Sequence, residues 1–191
     1  MNEINYEKAR DMREVIEKYN SYAKGKDEFL SKRSIIKSEY LYHVTQTDES
    51  DDIMNNLPSI KKYGLILQDM YDLSEVISSK YNGRKTKRVS KMLDLLDKLE
   101  VLYCSPTTKC SIFGIGLAED NEHTMFRFKT SLAKGFLYKD PETEDCFATI
   151  CLVNIPAKYL QIGTPVKTIK PKGYLDYTYG LDFTYKWKDL I

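Results

Sequence analysis

Residues 40–67, YLYHVTQTDESDDIMNNLPSIKKYGLIL, decide the reading of this chain. The run Tyr40-Leu41-Tyr42-His43-Val44-Thr45 is rich in β-formers and carries a histidine at its centre. Asp48, Glu49, Asp51 and Asp52 then form an acidic loop. Pro58 suits the first turn of a helix, where its missing N–H would be unpaired anyway. Gly64 suits the left-handed position that follows a helix's last turn. The stretch therefore predicts a strand over 40–45, a short helix over 58–63 and an apolar exit at Leu65.

Working outward, residues 6–23 place Met12, Val15, Ile16, Tyr19 and Tyr22 on one stripe at intervals of three and four, which predicts a helix. A second short helix is expected over about 27–36. The region 69–100 reads as helical again, with Tyr71, Leu73, Val76 and Ile77 on one stripe and Met92, Leu93, Leu95, Leu96 and Leu99 on another. Between them lies the only strong charge block, from Lys80 through Arg84, Lys85, Lys87 and Arg88 to Lys91. From Val101 the pattern turns to strands, over 101–105, 125–128 and 148–155, with shorter pieces at 158–162 and 166–169. Residues 112–117 are expected to form a loop or tight strand. The last segment is dense in aromatics, from Tyr174, Tyr177 and Tyr179 to Phe183, Tyr185 and Trp187. Helices first and a strand-rich half after them make an α+β chain. Residues 1–38 form a helical extension, residues 39–191 the main domain, and about 69–100 a helical insertion in it.

Composition bounds the function. The chain has 191 residues, of which 42% are hydrophobic and 30% charged, so it is globular and long enough to bury a core without a metal or disulfide. Lys and Arg number 29 against 28 Asp and Glu, which argues against a whole-surface nucleic-acid binder and leaves room for a local basic patch. No run reaches the roughly 20 apolar residues of a membrane span. The charged N-terminus lacks a signal peptide's apolar centre, so a cytoplasmic protein is expected. Cys104, Cys110, Cys146 and Cys151 are spaced C-x5-C and C-x4-C, not as zinc ligands, and His123 lies in a polar run expected to be a solvent-facing loop. No metal site is expected.

The strand histidine, the short helix closed by Tyr63-Gly64-Leu65 and the later run Val101-Leu102-Tyr103-Cys104-Ser105-Pro106 resemble an ADP-ribosyltransferase fold of the histidine–tyrosine–glutamate type. The resemblance implies a split mixed or antiparallel β-sheet core and NAD as substrate. It implies that His43 anchors the ribose of the nicotinamide half, that Thr45, Gly64 and nearby backbone help hold the dinucleotide, and that Tyr103 or Ser105 flanks the nicotinamide. Active members also carry a late glutamate that stabilises the positive charge growing as nicotinamide leaves. Here residues 148–191 contain no glutamate. Three readings stay open: Asp176 or Glu144 serves as the acid, Gln161 stands in for it, or catalysis is lost. The resemblance thus implies a mono-ADP-ribosyltransferase acting on a protein or nucleic-acid target, in the manner of a bacterial or phage effector. The alternative is a catalytically degenerate binding protein or inhibitor that docks a partner through the basic segment 80–91, with Arg84, Lys85, Lys87 and Arg88 as contacts.

Overall fold

The structure, a computed structural model, describes residues 3–23, 36–46, 57–69, 86–108, 123–139, 149–169 and 182–191. Among them the chain is α+β, with three α-helices and two four-stranded antiparallel sheets. Helix α1 spans Tyr6–Ala23, α2 Leu57–Tyr63 and α3 Lys87–Leu96. The strands are β1 Tyr40–Gln46, β2 Gln68–Asp69, β3 Glu100–Cys104, β4 His123–Lys129, β5 Leu137–Lys139, β6 Thr149–Cys151, β7 Gln161–Ile169 and β8 Asp182–Asp189. One sheet runs β1-β4-β7-β8 and the other β2-β3-β6-β5.

The amphipathic stripe of α1 buries Ile16 and Tyr19 along with Ala9 and Ala23, and Met12, Val15 and Tyr22 pack at its margin. Helix α3 begins at Thr86, whose hydroxyl accepts the Val89 N–H at 3.2 Å, a side-chain cap that satisfies one of the helix's unpaired donors. It turns Met92 and Leu96 into the same core and buries Val89. The Arg88 guanidinium donates to the carbonyls of Tyr22 and Ala23, the end of α1. A cation there meets both the orphan carbonyls and the negative end of the helix dipole. The N-terminal helix is thereby fastened to α3.

Several boundaries differ from the sequence reading. The expected helical stretch 69–100 begins and ends in strand: Gln68 and Asp69 pair with Val101 and Glu100. Its helix is α3, and residues 70–85 lie outside the described residues, as do 27–35 of the second predicted helix and the whole of 112–117. The apolar run 148–155 is strand only over β6, because its ladder changes partner. Leu152 donates to the Phe136 carbonyl, and Ile155 exchanges both bonds with Leu65. Residues 158–162 start in a 3-10 turn at Ala157–Tyr159 and become strand at Gln161. The piece at 166–169 is the far end of that same strand, β7. Pro165 lies in it beyond the last residue paired with β4, where among the described strands β8 alone pairs with β7, and beside a register shift between Pro165 and Lys167, an edge or bulge position of the kind a strand proline is confined to. His123 opens β4 opposite Gln46 rather than sitting in a loop. Strand β5 and the 3-10 turn Thr130–Ala133 have no counterpart in the sequence reading. Cys104 and Cys151 are buried free thiols.

Among the described residues one backbone bridge joins the two sheets. Tyr42 and Ser105 exchange both backbone bonds, at 2.8 and 2.9 Å, so β1 continues into the end of β3. In the first sheet the pleat divides residues into two faces. Leu41, Phe126 and Phe128 look into the main core, which extends through Val101, Ile150, Leu152 and Ile155. Val44 and Met125 look the other way and form a small second cluster with Tyr42, Tyr185 and Trp187.

Gly64 is fixed by two demands at once. Its φ is +79°, and a Cβ there would come within 2.1 Å of the Ile155 carbonyl oxygen. Helix α2 can therefore stop and hand Leu65 to Ile155 only if residue 64 has no side chain. Gly64→Ala is expected to destabilise the chain by more than about 2 kcal/mol, combining a left-handed penalty with a backbone clash. Chemical denaturation checks this, and an unchanged midpoint would refute it.

Candidate functional site

His43 sits at the middle of β1, opposite Phe126, and its side chain takes the core-facing side of the first sheet. Its Nδ1 lies 2.8 Å from the carbonyl oxygen of Tyr103. A carbonyl can only accept, so Nδ1 carries the proton, and in the neutral ring Nε2 is a bare acceptor. The imidazole is half-buried as a whole, but its Nε2 edge is sealed from solvent and finds no hydrogen-bond partner among the described residues. Burial lowers the pKa of His43 below its ordinary 6.5, against a smaller upward pull from the Tyr103 carbonyl. The ring is accordingly neutral at pH 7 and presents one unsatisfied lone pair. No carboxylate of a described residue forms a hydrogen bond or ion pair with it.

The structure brings together some of the residues singled out from the sequence. Thr45 shares the His43 face two positions along β1 and is buried. Ser105 is buried at the junction of the sheets, where its hydroxyl accepts the Thr107 N–H at 3.1 Å. Tyr103 meets His43 through its backbone, while 38% of the residue's surface is exposed. Continuing the pleat from the Tyr42–Ser105 pair puts Tyr103 on the Ser105 side and His43 on the side of Cys104. Gly64 uses its N–H on the Ile60 carbonyl at 2.8 Å and packs on Ile155, so it builds the turn after α2.

Gln161 is placed apart from His43. It lies in register with Arg127 and Asp189, one residue from Ile162, which is the neighbour of Phe126 and hence of the His43 row. Its amide therefore stands on the opposite face of the sheet. Glu144 and Asp176, the other candidate acids, lie outside the described residues. Arg84 and Lys85 do too. Of the basic segment, Lys87 is exposed at the start of α3, and Arg88 is engaged in holding the end of α1.

One group was not anticipated from the sequence. On the face away from the core, Tyr42, Arg127, Gln161 and Asp189 stand side by side across the four strands. The Arg127 guanidinium carbon is 4.1 Å from the Tyr40 ring centroid and 4.3 Å from that of Trp187. Arg127 Nε donates to Gln161 Oε1 at 2.7 Å, and Gln161 Nε2 donates to Asp189 Oδ1 at 2.9 Å. Trp187 lies over Gly163, where a Cβ would come within 2.8 Å of the indole. The aromatic density that includes Tyr185 and Trp187 is visible in the sequence; the partner strands that gather an arginine and a glutamine beside them are not.

Comparison with protein-family models, with curated proteins and with solved structures found no match.

The lowered pKa of His43 has a sign that can be tested. The unfolded chain takes up a proton near pH 6.5 while the folded chain does not, so stability is full above that value and is lost as pH falls below it toward the folded pKa. Thermal melts from about pH 7.5 to about pH 5 are expected to show a steeper loss for the wild type than for His43→Gln. Parallel curves would refute the assignment.

Proposed function

We propose that this chain is an ADP-ribosyltransferase-like protein that binds NAD with His43 and transfers its ADP-ribose to a protein or nucleic-acid target. The observation that carries this reading is the bond from His43 Nδ1 to the Tyr103 carbonyl, which leaves Nε2 as a buried acceptor without a partner among the described residues. An unsatisfied buried polar atom costs roughly 1–3 kcal/mol, and a ligand hydroxyl donating to Nε2 would recover it. A ribose hydroxyl is such a donor, and it fits the role that the family resemblance gives this histidine. Thr45 on the same face offers a second hydroxyl, and Ser105 holds the strand junction that aligns Tyr103 with the ring. NAD supplies the activated N-glycosidic bond; the residues named here bind and orient it. The acid for the transfer step is sought in Glu144 or Asp176, since Gln161 faces away.

The test is calorimetry with NAD, together with labelling of a host-cell extract by NAD carrying a tag on adenine. Wild-type protein should bind and label. His43→Ala should lose both by at least about tenfold, the scale of a lost hydrogen bond to a buried group, while keeping its circular dichroism spectrum. Equal binding by both proteins would sink the proposal.

The placement of Gln161 on the far face favours a second reading, a non-catalytic protein that docks a partner through its basic segment. In that case Arg84→Glu, Lys85→Glu and Lys87→Glu together should abolish partner capture, whereas His43→Ala should not. Arg88 is excluded from that set because its loss would loosen α1. Capture that survives the triple reversal would count against docking.

A further inference from the structure

We infer that the outer face of the β1-β4-β7-β8 sheet is a binding site for single-stranded nucleic acid, with Arg127 as its phosphate-binding fork. The argument starts from how Arg127 is held. Its guanidinium is flanked by the Tyr40 and Trp187 rings, and its Nε is bound to Gln161, whose amide is oriented in turn by Asp189. Those contacts fix the plane and the rotation of the group while using only one of its five N–H donors. Among the described residues the two terminal nitrogens have no hydrogen-bond partner. A pre-positioned guanidinium with its terminal edge open is the geometry that takes an oxyanion through two parallel bonds.

Two further features select a phosphate strand over an isolated anion. Lys129 lies two residues along β4 on the same face and is exposed. The two residues are about 7 Å apart along the strand backbone, a spacing comparable to that of successive phosphates in an extended chain. Tyr40, half-buried at the start of β1, sets an aromatic ring beside the fork, and base-on-aromatic stacking is the sequence-tolerant contact that single strands use. Asp189 is the one carboxylate in this row, and its Oδ1 is engaged by Gln161. The site faces away from His43, so it stands whether or not NAD binds there.

Fluorescence anisotropy with a labelled oligothymidylate tests it on the full chain at low salt. Wild type should bind, with affinity falling as salt rises. Arg127→Lys keeps the charge but removes the fork, and should weaken binding about tenfold. Lys129→Glu changes only an exposed side chain and should weaken it to a similar degree, which guards against misfolding of the first variant. His43→Ala should bind the oligonucleotide like wild type, so a failure of NAD binding would leave this result untouched. No binding by wild type, or equal binding by all variants, would overturn the inference. Competition by inorganic phosphate or by a glutamate-rich peptide as effective as unlabelled oligonucleotide would overturn the assignment to a nucleic-acid strand.

Discussion

Everything placed around His43 depends on one pair of backbone hydrogen bonds, those between Tyr42 and Ser105. Each sheet has its own ladder and its own share of the core, and among the described strands this is the bridge that joins β1 to the end of β3. It sets which residue of β3 comes level with the imidazole. With Tyr42 opposite Ser105, the Tyr103 carbonyl falls within reach of His43 Nδ1. A shift of one residue would turn the alternating side chains over and bring a different group to the ring. The tautomer of the histidine, and so the acceptor character of Nε2, follows from a register contact and not from any side chain nearby.

The same pleat separates two chemistries on one sheet. The inner face carries Leu41, His43, Thr45, Phe126 and Phe128 against a large apolar core, where desolvation keeps the histidine neutral. The outer face carries Tyr40, Tyr42, Arg127, Gln161 and Trp187 beside a small cluster whose buried members among the described residues are Val44 and Met125. A charged group survives there because aromatic rings and an amide surround it without removing its outer edge from reach. Residues adjacent in sequence thus serve opposite faces: Tyr42 and His43 on β1, Gln161 and Ile162 on β7. Proximity along the chain was a poor guide to which groups can act together.

That explains what the sequence could and could not disclose. The amphipathic period of residues 6–23 and the Pro58 and Gly64 punctuation mark α1 and α2 almost to the residue, since each signal is local and physical. Strand β1 was equally plain. The long apolar run at 148–155 misled, because burial persists through Leu152–Ile155 while the hydrogen-bond partners change from β3 and β5 to Phe136 and Leu65. Hydrophobicity reports burial, and a strand also needs a continuous partner. Arg88 reads in the sequence as one more member of a basic surface block; its role at the end of α1 needs the tertiary contact between two helices far apart in the chain. The family resemblance places Gln161 by its position along the chain, and only strand register shows which side of the sheet it occupies.

Both faces share a logic in which an ordered polar group is left incomplete. His43 is held by one bond on one nitrogen, and Arg127 by one bond and two rings. Native structures normally satisfy buried polar atoms, and the buried Nε2 of His43 departs from that norm among the described residues. The two sites ask for opposite partners. The histidine offers a lone pair and calls for a donor such as a sugar hydroxyl; the guanidinium offers N–H groups and calls for an oxyanion. A nucleotide carries both kinds of group, but here they are served by opposite faces of one sheet, so one small ligand cannot satisfy both. Completing both would take two separate binding events, one at the core side of the sheet and one across its outer surface.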